Sequence, residues 1–139
     1  GNEIDNSNLR SLIKKYNKNI KIFESNYVVI NIEKFDINEK YLIFSGIGNP
    51  DSFKETLLKY NFSIIKEIIF PDHHIYTQVD IDKIKAQAQK LNAKIITTEK
   101  DYTKINSRNN DDIKYLQIDL KIKNEIELIN YLKLNIWNL

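Results

Sequence analysis

Both histidines of the chain, His73 and His74, fall in one short run, Phe70-Pro71-Asp72-His73-His74. An imidazole changes charge near neutral pH, and an aspartate beside it can fix its tautomer. The run therefore holds the residue types that proton transfer needs. Adjacent histidines point in different directions, and no third histidine and no cysteine accompanies them, which argues against a shared metal. The same residues also suit a capped surface turn, and spacing alone leaves both readings open.

Two further segments carry chemically useful residues. In Gly46-Ile47-Gly48-Asn49-Pro50, two glycines precede the start of a helix and could turn backbone N–H groups toward an anion. Asp51, however, stands where a dinucleotide fingerprint needs its third glycine, and no acidic residue at the right distance completes that motif. The other reading is a tight strand-to-helix turn that uses glycine for positive φ. In Thr97-Thr98-Glu99-Lys100-Asp101-Tyr102, Thr98 and Asp101 have the spacing of a capping box, and Lys100 could meet a phosphate as a point charge. A capped short helix with a solvated charge cluster explains the segment equally well. Lys83, Lys85 and Lys90 read as the wet face of a helix. The sequence holds no G-x-x-x-x-G-K-[ST] loop, no nucleophile elbow and no histidine–carboxylate trio with metal spacing, so the expected metal set is none. Three glycines are too few for a complete nucleotide cradle.

The elements that must position these segments follow from periodicity. Apolar residues at helical spacing predict a helix over 6–18, and short β-branched runs predict strands at 20–23, 27–32 and 35–37, paired as a small hairpin. From residue 41 the pattern becomes regular. A continuous apolar run at 41–44 predicts a strand buried on both faces. A helix follows over 50–60, with Asn49 as N-cap and Phe53, Leu57, Leu58 and Tyr60 facing inward. A strand at 64–70 precedes a helix over 79–91, capped by Thr77 or Asp80 and buried through Val79, Ile81, Ile84, Ala88 and Leu91. Strands at 93–97 and 114–118 and a helix over 124–134 complete the chain, with 106–112 as an exposed polar loop. Trp137 lies beyond this last helix, which reads as packed on the sheet.

Strand and helix in alternation give a three-layer α/β fold: a mostly parallel sheet with helices on both faces, Rossmann-like or P-loop-kinase-like. The expected division is 1–39 for the N-terminal helix and linker strands and 40–139 for the α/β domain. Each of the three chemical segments then falls at the carboxyl end of a strand, where open α/β sheets bind ligands.

Composition sets the outer limits. With 139 residues, 42% of them hydrophobic and 29% charged, the chain suits one globular unit with a real core. A formal charge of +2 is too small to argue for nucleic acid. No apolar run approaches the roughly 18 residues of a membrane span, so no transmembrane segment is expected. Absence of Cys excludes a disulfide framework. Absence of Met, with Gly1 first, makes a piece of a longer protein or a cleaved product the expectation.

Taken in series, Phe44-Ser45-Gly46-Ile47-Gly48-Asn49-Pro50 with Phe53 and Leu57, then Phe70-Pro71-Asp72-His73-His74, then Thr98-Glu99-Lys100-Asp101, resemble the C-terminal half of the tetraacyldisaccharide 4'-kinase (lipid A 4'-kinase) family. The resemblance runs from about residue 41 to 119. It implies a lipid kinase of lipid A biosynthesis, a phosphotransferase with an alcohol acceptor. The enzyme moves the γ-phosphate of ATP, with Mg²⁺, to the 4'-hydroxyl of a tetraacyldisaccharide 1-phosphate at the cytoplasmic face of the Gram-negative inner membrane. It further implies a P-loop domain on the N-terminal side, joined by a two-stranded linker matched here to 27–37, with the active site in the cleft between domains. That N-terminal kinase domain would hold the ATP, the Mg²⁺ ligands and a base-side aspartate. His73 matches the family histidine that works with that aspartate, whereas His74 matches a more variable position. Asp72, His74, Gly46, Gly48, Asn49, Thr98, Glu99, Lys100 and Asp101 would line the cleft. The expected partners are thus the N-terminal domain and the lipid disaccharide. This chain alone, lacking the P-loop, would be soluble and inactive. The alternative is a stand-alone α/β binding module without catalysis.

Overall fold

The structure is a computed structural model that describes residues 7–105 and 110–136. The start of the predicted first helix at Asn6, most of the predicted loop 106–112, and Trp137 lie outside the described residues. In chain order the elements are α1 (Ser7–Tyr16), β1 (Ser25–Val29), a 3-10 turn (Ile32–Lys34), β2 (Lys40–Ser45), α2 (Pro50–Lys59), β3 (Ser63–Ile69), α3 (Gln78–Leu91), β4 (Lys94–Thr98), α4 (Glu99–Tyr102), β5 (Ile113–Leu116), β6 (Ile118–Ile122) and α5 (Glu125–Ile136). They form two compact units, Val29–Gln117 and a smaller one in which the residues up to Val28 join those from Ile118 onward.

The larger unit is a parallel sheet in the order β3-β2-β4-β5. Crossovers between parallel strands are right-handed. A helix leading outward from β2 to β3 and one leading back past β2 to β4 must therefore cover opposite faces. The core is divided accordingly. Tyr41 and Ile43 of β2 pack with Phe53 and Leu57 of α2 on one face. Leu42 and Phe44 pack with Ile81, Ile84 and Ala88 of α3 on the other. Ile96 and Ile95 of β4 split in the same way, which is the period-2 signature of a strand covered twice. The three-layer α/β architecture is as the sequence predicts.

Both principal helices begin where the capping residues predict. Asn49 accepts from the Ser52 N–H at the start of α2, and Thr77 and Asp80 form a reciprocal capping box on α3. The inward stripes are narrower than predicted. Leu58 is 50% exposed, Val79 58% and Leu91 38%, because each sits at the edge of a helix face whose centre already fills the space over the sheet. Tyr60 is partly buried against the α2 side of the core.

The predicted hairpin near the N-terminus does not form. Residues 20–23 and 35–37 are not strands, and β1 pairs instead with β6. Phe35 is buried against Phe62, with ring centroids 5.5 Å apart, so this segment serves the core through a 3-10 turn rather than alternating in a ladder. The predicted strand 114–118 divides at Gln117, whose N–H donates to the buried Asn31 side chain and whose carbonyl accepts from the Ile30 N–H. Residues before that point join the parallel sheet and residues after it pair with β1.

In the smaller unit the Lys123 N–H donates to the Glu24 carbonyl at 2.7 Å, and Arg10 and Lys123 both pair with the Glu24 carboxylate. The Tyr131 ring of α5 meets Phe23 at 5.6 Å, so the last helix belongs to this unit. No described helix is long and apolar enough to cross a membrane.

Candidate functional site at the carboxyl ends of the strands

From β2 the chain moves to β3, and from β4 it moves the other way to β5, so a crevice opens between the carboxyl ends of β2 and β4. Gly46 and Asp101 meet there. The Gly46 N–H donates to Asp101 Oδ2 at 3.0 Å, Thr98 Oγ1 donates to the same oxygen at 2.7 Å, and Lys104 Nζ donates to Oδ1 at 2.9 Å. The predicted capping box at Thr98 is thus half formed. Thr98 Oγ1 accepts from the Asp101 N–H, but the Asp101 carboxylate takes the Thr98 hydroxyl and the Gly46 N–H rather than the Thr98 backbone N–H. Burial pushes the Asp101 carboxyl upward, and donation from Gly46, Lys104 and Thr98 outweighs it, leaving the group below its ordinary value.

The histidine turn stands against the same loop. The Phe70 N–H donates to the Ser45 carbonyl at 2.8 Å, and the turn is closed by His74 N–H to the Pro71 carbonyl at 3.1 Å. His73 adopts φ 61°, and its N–H donates to Asp72 Oδ1 at 2.9 Å. An L-residue held in the left-handed region is fixed by its surroundings. The His73 side chain is 77% exposed, with Nε2 3.6 Å from Asp72 Oδ2. Lys100 Nζ lies 3.6 Å from Asp72 Oδ1, and a Cβ on Gly48 would lie 3.3 Å from Asp72 Oδ2. The Asp72 carboxylate therefore gathers one residue from each of the three predicted segments.

The two histidines diverge, as adjacent histidines should. His74 stacks on Phe70 at 4.5 Å, meets Tyr76 edge-on at 5.0 Å and places Nε2 3.2 Å from Asp80 Oδ2. Donation from the Thr77 N–H and hydroxyl, with a smaller contribution from His74, lowers the Asp80 carboxyl to about 2. Two predicted residues are otherwise occupied: Asn49 caps α2, and Glu99 accepts from Gln117 Nε2 at 3.2 Å.

Two residues of this cluster were not singled out from the sequence. Lys104 follows Asp101 by three positions, a helical spacing that signals the pair. Tyr76 is buried among Phe44, Phe70 and His74, and no periodicity marks it. Its hydroxyl has no partner of good geometry among the described residues, yet burial first, and then the nearby Asp101 charge, raise its pKa well above the usual phenol.

The loop 46–49 does not suit a phosphate. The Gly46 N–H is already bound to Asp101, and the Asp72 carboxylate faces Gly48 with the wrong sign of charge. Neither described glycine has positive φ, contrary to the turn reading; Gly46 serves close approach, while Gly48 is exposed and faces only the Asp72 side chain. No group of three or more His, Cys, Asp or Glu suited to a metal exists among the described residues.

The sequence pattern of the tetraacyldisaccharide-1-P 4'-kinase family matches residues 5–136. The tetraacyldisaccharide 4'-kinase of Pelagibacter ubique is 42% identical over 136 residues, covering 97% of this chain and 43% of that protein. The enzyme of the same name from Rickettsia felis is 36% identical over 134 residues, covering 91% of this chain and 41% of its own length. Among solved structures, LpxK from Aquifex aeolicus, crystallised in complex with ATP, matches with a TM-score of 0.57 and 16% identity, over 86% of this chain and 39% of the neighbour. At that identity the likeness speaks for the fold alone. The chain spans about two-fifths of the length of the curated relatives it matches. With the family pattern running through nearly all of its length, this chain belongs to the tetraacyldisaccharide-1-P 4'-kinase family.

Proposed function

We propose that the chain is the C-terminal part of a lipid A 4'-kinase and that it completes an active site whose other wall is an N-terminal kinase domain. The observation that carries this reading is the convergence at Asp72. Segments far apart in sequence meet at the carboxyl ends of the strands, and His73 stands outward from that point on a fixed backbone. Phosphoryl transfer is catalysed mainly by positioning and by charge stabilisation, so one imidazole presented across a cleft is a sufficient contribution from this side.

In this reading His73 is the catalytic residue of the chain. Its exposed ring meets an aspartate of the N-terminal domain and helps that base take the proton of the sugar hydroxyl. Asp72 orients the ring from behind, and Lys100 places a positive charge at the cleft edge. Gly48 and Thr98 shape the wall, Asp101 lies wholly buried behind it rather than lining it as expected, and His74 braces the turn. ATP and Mg²⁺ are held by the N-terminal domain, which carries the P-loop, and the acceptor is the tetraacyldisaccharide 1-phosphate. The full enzyme works peripherally at the cytoplasmic face of the inner membrane, and the 139 residues alone are inactive.

The test joins this chain behind the N-terminal part of the Pelagibacter ubique relative and follows phosphate transfer from ATP to the tetraacyldisaccharide 1-phosphate. The joined protein is expected to be active and the chain alone inactive. His73→Ala is expected to lower kcat about 100-fold or more, in the range general acid–base groups contribute. Undiminished activity on losing His73 would sink its catalytic role. A joined protein without activity would instead favour a binding module.

A further inference from the structure

We propose that Asp101 is a positioning residue: it pins the Gly46 loop to the end of β4 and, through that loop, sets the turn that presents His73. The proposal rests on the kinase reading of His73 given above, and it adds a residue whose side chain is wholly buried and touches no substrate.

Both backbone polar groups of Gly46 are held from the β4 side. Its N–H donates to Asp101 Oδ2 at 3.0 Å, and its carbonyl accepts from Lys104 Nζ at 3.3 Å. On its other side Gly46 abuts the histidine turn directly. A Cβ there would lie 3.0 Å from Tyr76 Oη, 3.2 Å from His74 Cβ and 3.2 Å from the Pro71 carbonyl oxygen. One residue back, the Ser45 carbonyl accepts from the Phe70 N–H that opens the turn. A displacement at the Asp101 end therefore reaches the His73 backbone without a soft layer between.

The chemistry of the pair points the same way. A buried ion pair is a weak means of stabilising a fold, because desolvation offsets much of its attraction. Capping does not require the charge either, since Thr98 already caps α4. A carboxylate is the acceptor that binds a backbone N–H most strongly and in a defined direction. Lys104, three-quarters buried, neutralises it where it stands. The arrangement serves placement.

The experiment uses the joined protein described above together with the ¹⁵N-labelled 139-residue chain. Asp101→Asn keeps the size of the side chain and removes its charge. It is expected to lower kcat about 10- to 100-fold, the scale of a small misplacement, with KM for ATP and lipid within about twofold. In the labelled chain it is expected to shift both the Gly46 amide and the His73 ring resonances. Thr98→Val, which removes one donor to the same carboxylate together with the α4 cap, is expected to give a smaller loss of the same kind, with the His73 ring resonances again shifted. Unchanged kcat for Asp101→Asn in a joined protein that His73→Ala impairs would overturn the proposal. If the joined wild type is inactive, the kinase reading fails, and the resonances alone decide the latch: a His73 ring unmoved by Asp101→Asn overturns it. If Asp101→Asn does not fold, Thr98→Val decides, a lower kcat at unchanged melting temperature supporting the proposal and an unchanged kcat overturning it.

Discussion

Asp101 and Gly46, 55 residues apart, are joined by a 3.0 Å bond from the Gly46 N–H to a carboxylate that has no exposed surface. The contact closes the crevice floor between β2 and β4 and makes the loop after β2 a fixed object. It also explains why glycine stands at position 46. The φ there is not positive, so the backbone would accept another residue; the space would not.

Gly46→Ala should therefore destabilise the chain through crowding, by about 1–3 kcal/mol, the usual range for an extra methyl in a packed site. Gly48→Ala meets only the Asp72 carboxylate, at 3.3 Å, and that side chain can turn aside. Its cost should stay within about 0.5 kcal/mol. Thermal or denaturant unfolding of the two variants checks this, and equal losses would contradict it.

Much of this architecture was legible in the sequence because local and global signals agree. The run Tyr41-Leu42-Ile43-Phe44 has no polar face, so only a strand covered twice can use it, and Asn49-Pro50 marks the helix start without ambiguity. The three site segments were legible as carboxyl-end loops, but their meeting at Asp72 was not, since no spacing rule relates residues 48, 72 and 100. The β1–β6 pairing was hidden for the same reason. A five-residue strand carries no record of a partner about ninety positions away, and the nearer runs at 20–23 and 35–37 offered an apparent one. Lys104 and Tyr76 escaped because burial of their polar ends is a tertiary fact.

The two faces of α2 can be told apart by adjacent substitutions. Leu57 is fully buried against β2, while Leu58 is half exposed. Leu57→Ala should cost about 2–5 kcal/mol from lost transfer energy plus a cavity. Leu58→Ala should cost under about 1 kcal/mol. Urea midpoints at constant m-value provide the measurement, and similar shifts for both would refute the assigned helix face.

Asn31 acts as a missing strand partner. Its Nδ2 donates to the Tyr115 carbonyl at 3.0 Å and its Oδ1 accepts from the Gln117 N–H at 2.9 Å, at a buried position beside the end of β5. Asn31→Ala leaves both backbone groups unpaired and should cost about 1–3 kcal/mol. Amide exchange of Gln117 should quicken selectively. If Gln117 stays protected, water or another group has replaced the side chain and the bridging role is wrong.

Acid should expose the depressed carboxyls. Donation from the Thr77 N–H and hydroxyl, assisted by His74, holds the folded Asp80 carboxyl at about 2 against an ordinary 3.8. Asp101 is lowered as well: burial raises it, but the Gly46, Lys104 and Thr98 donors prevail. A group whose folded pKa is depressed stabilises the fold fully above its unfolded value and loses that contribution as pH falls through the folded one. For Asp80 the window runs from about 4 down to about 2. Urea midpoints measured across that window should fall steeply for the wild type and less steeply for Asp80→Asn, whose cap no longer titrates. Above pH 5 the variant should be the less stable protein, and the two curves should converge toward pH 2. Parallel curves would mean that the Thr77–Asp80 cap does not hold its proton affinity down in solution.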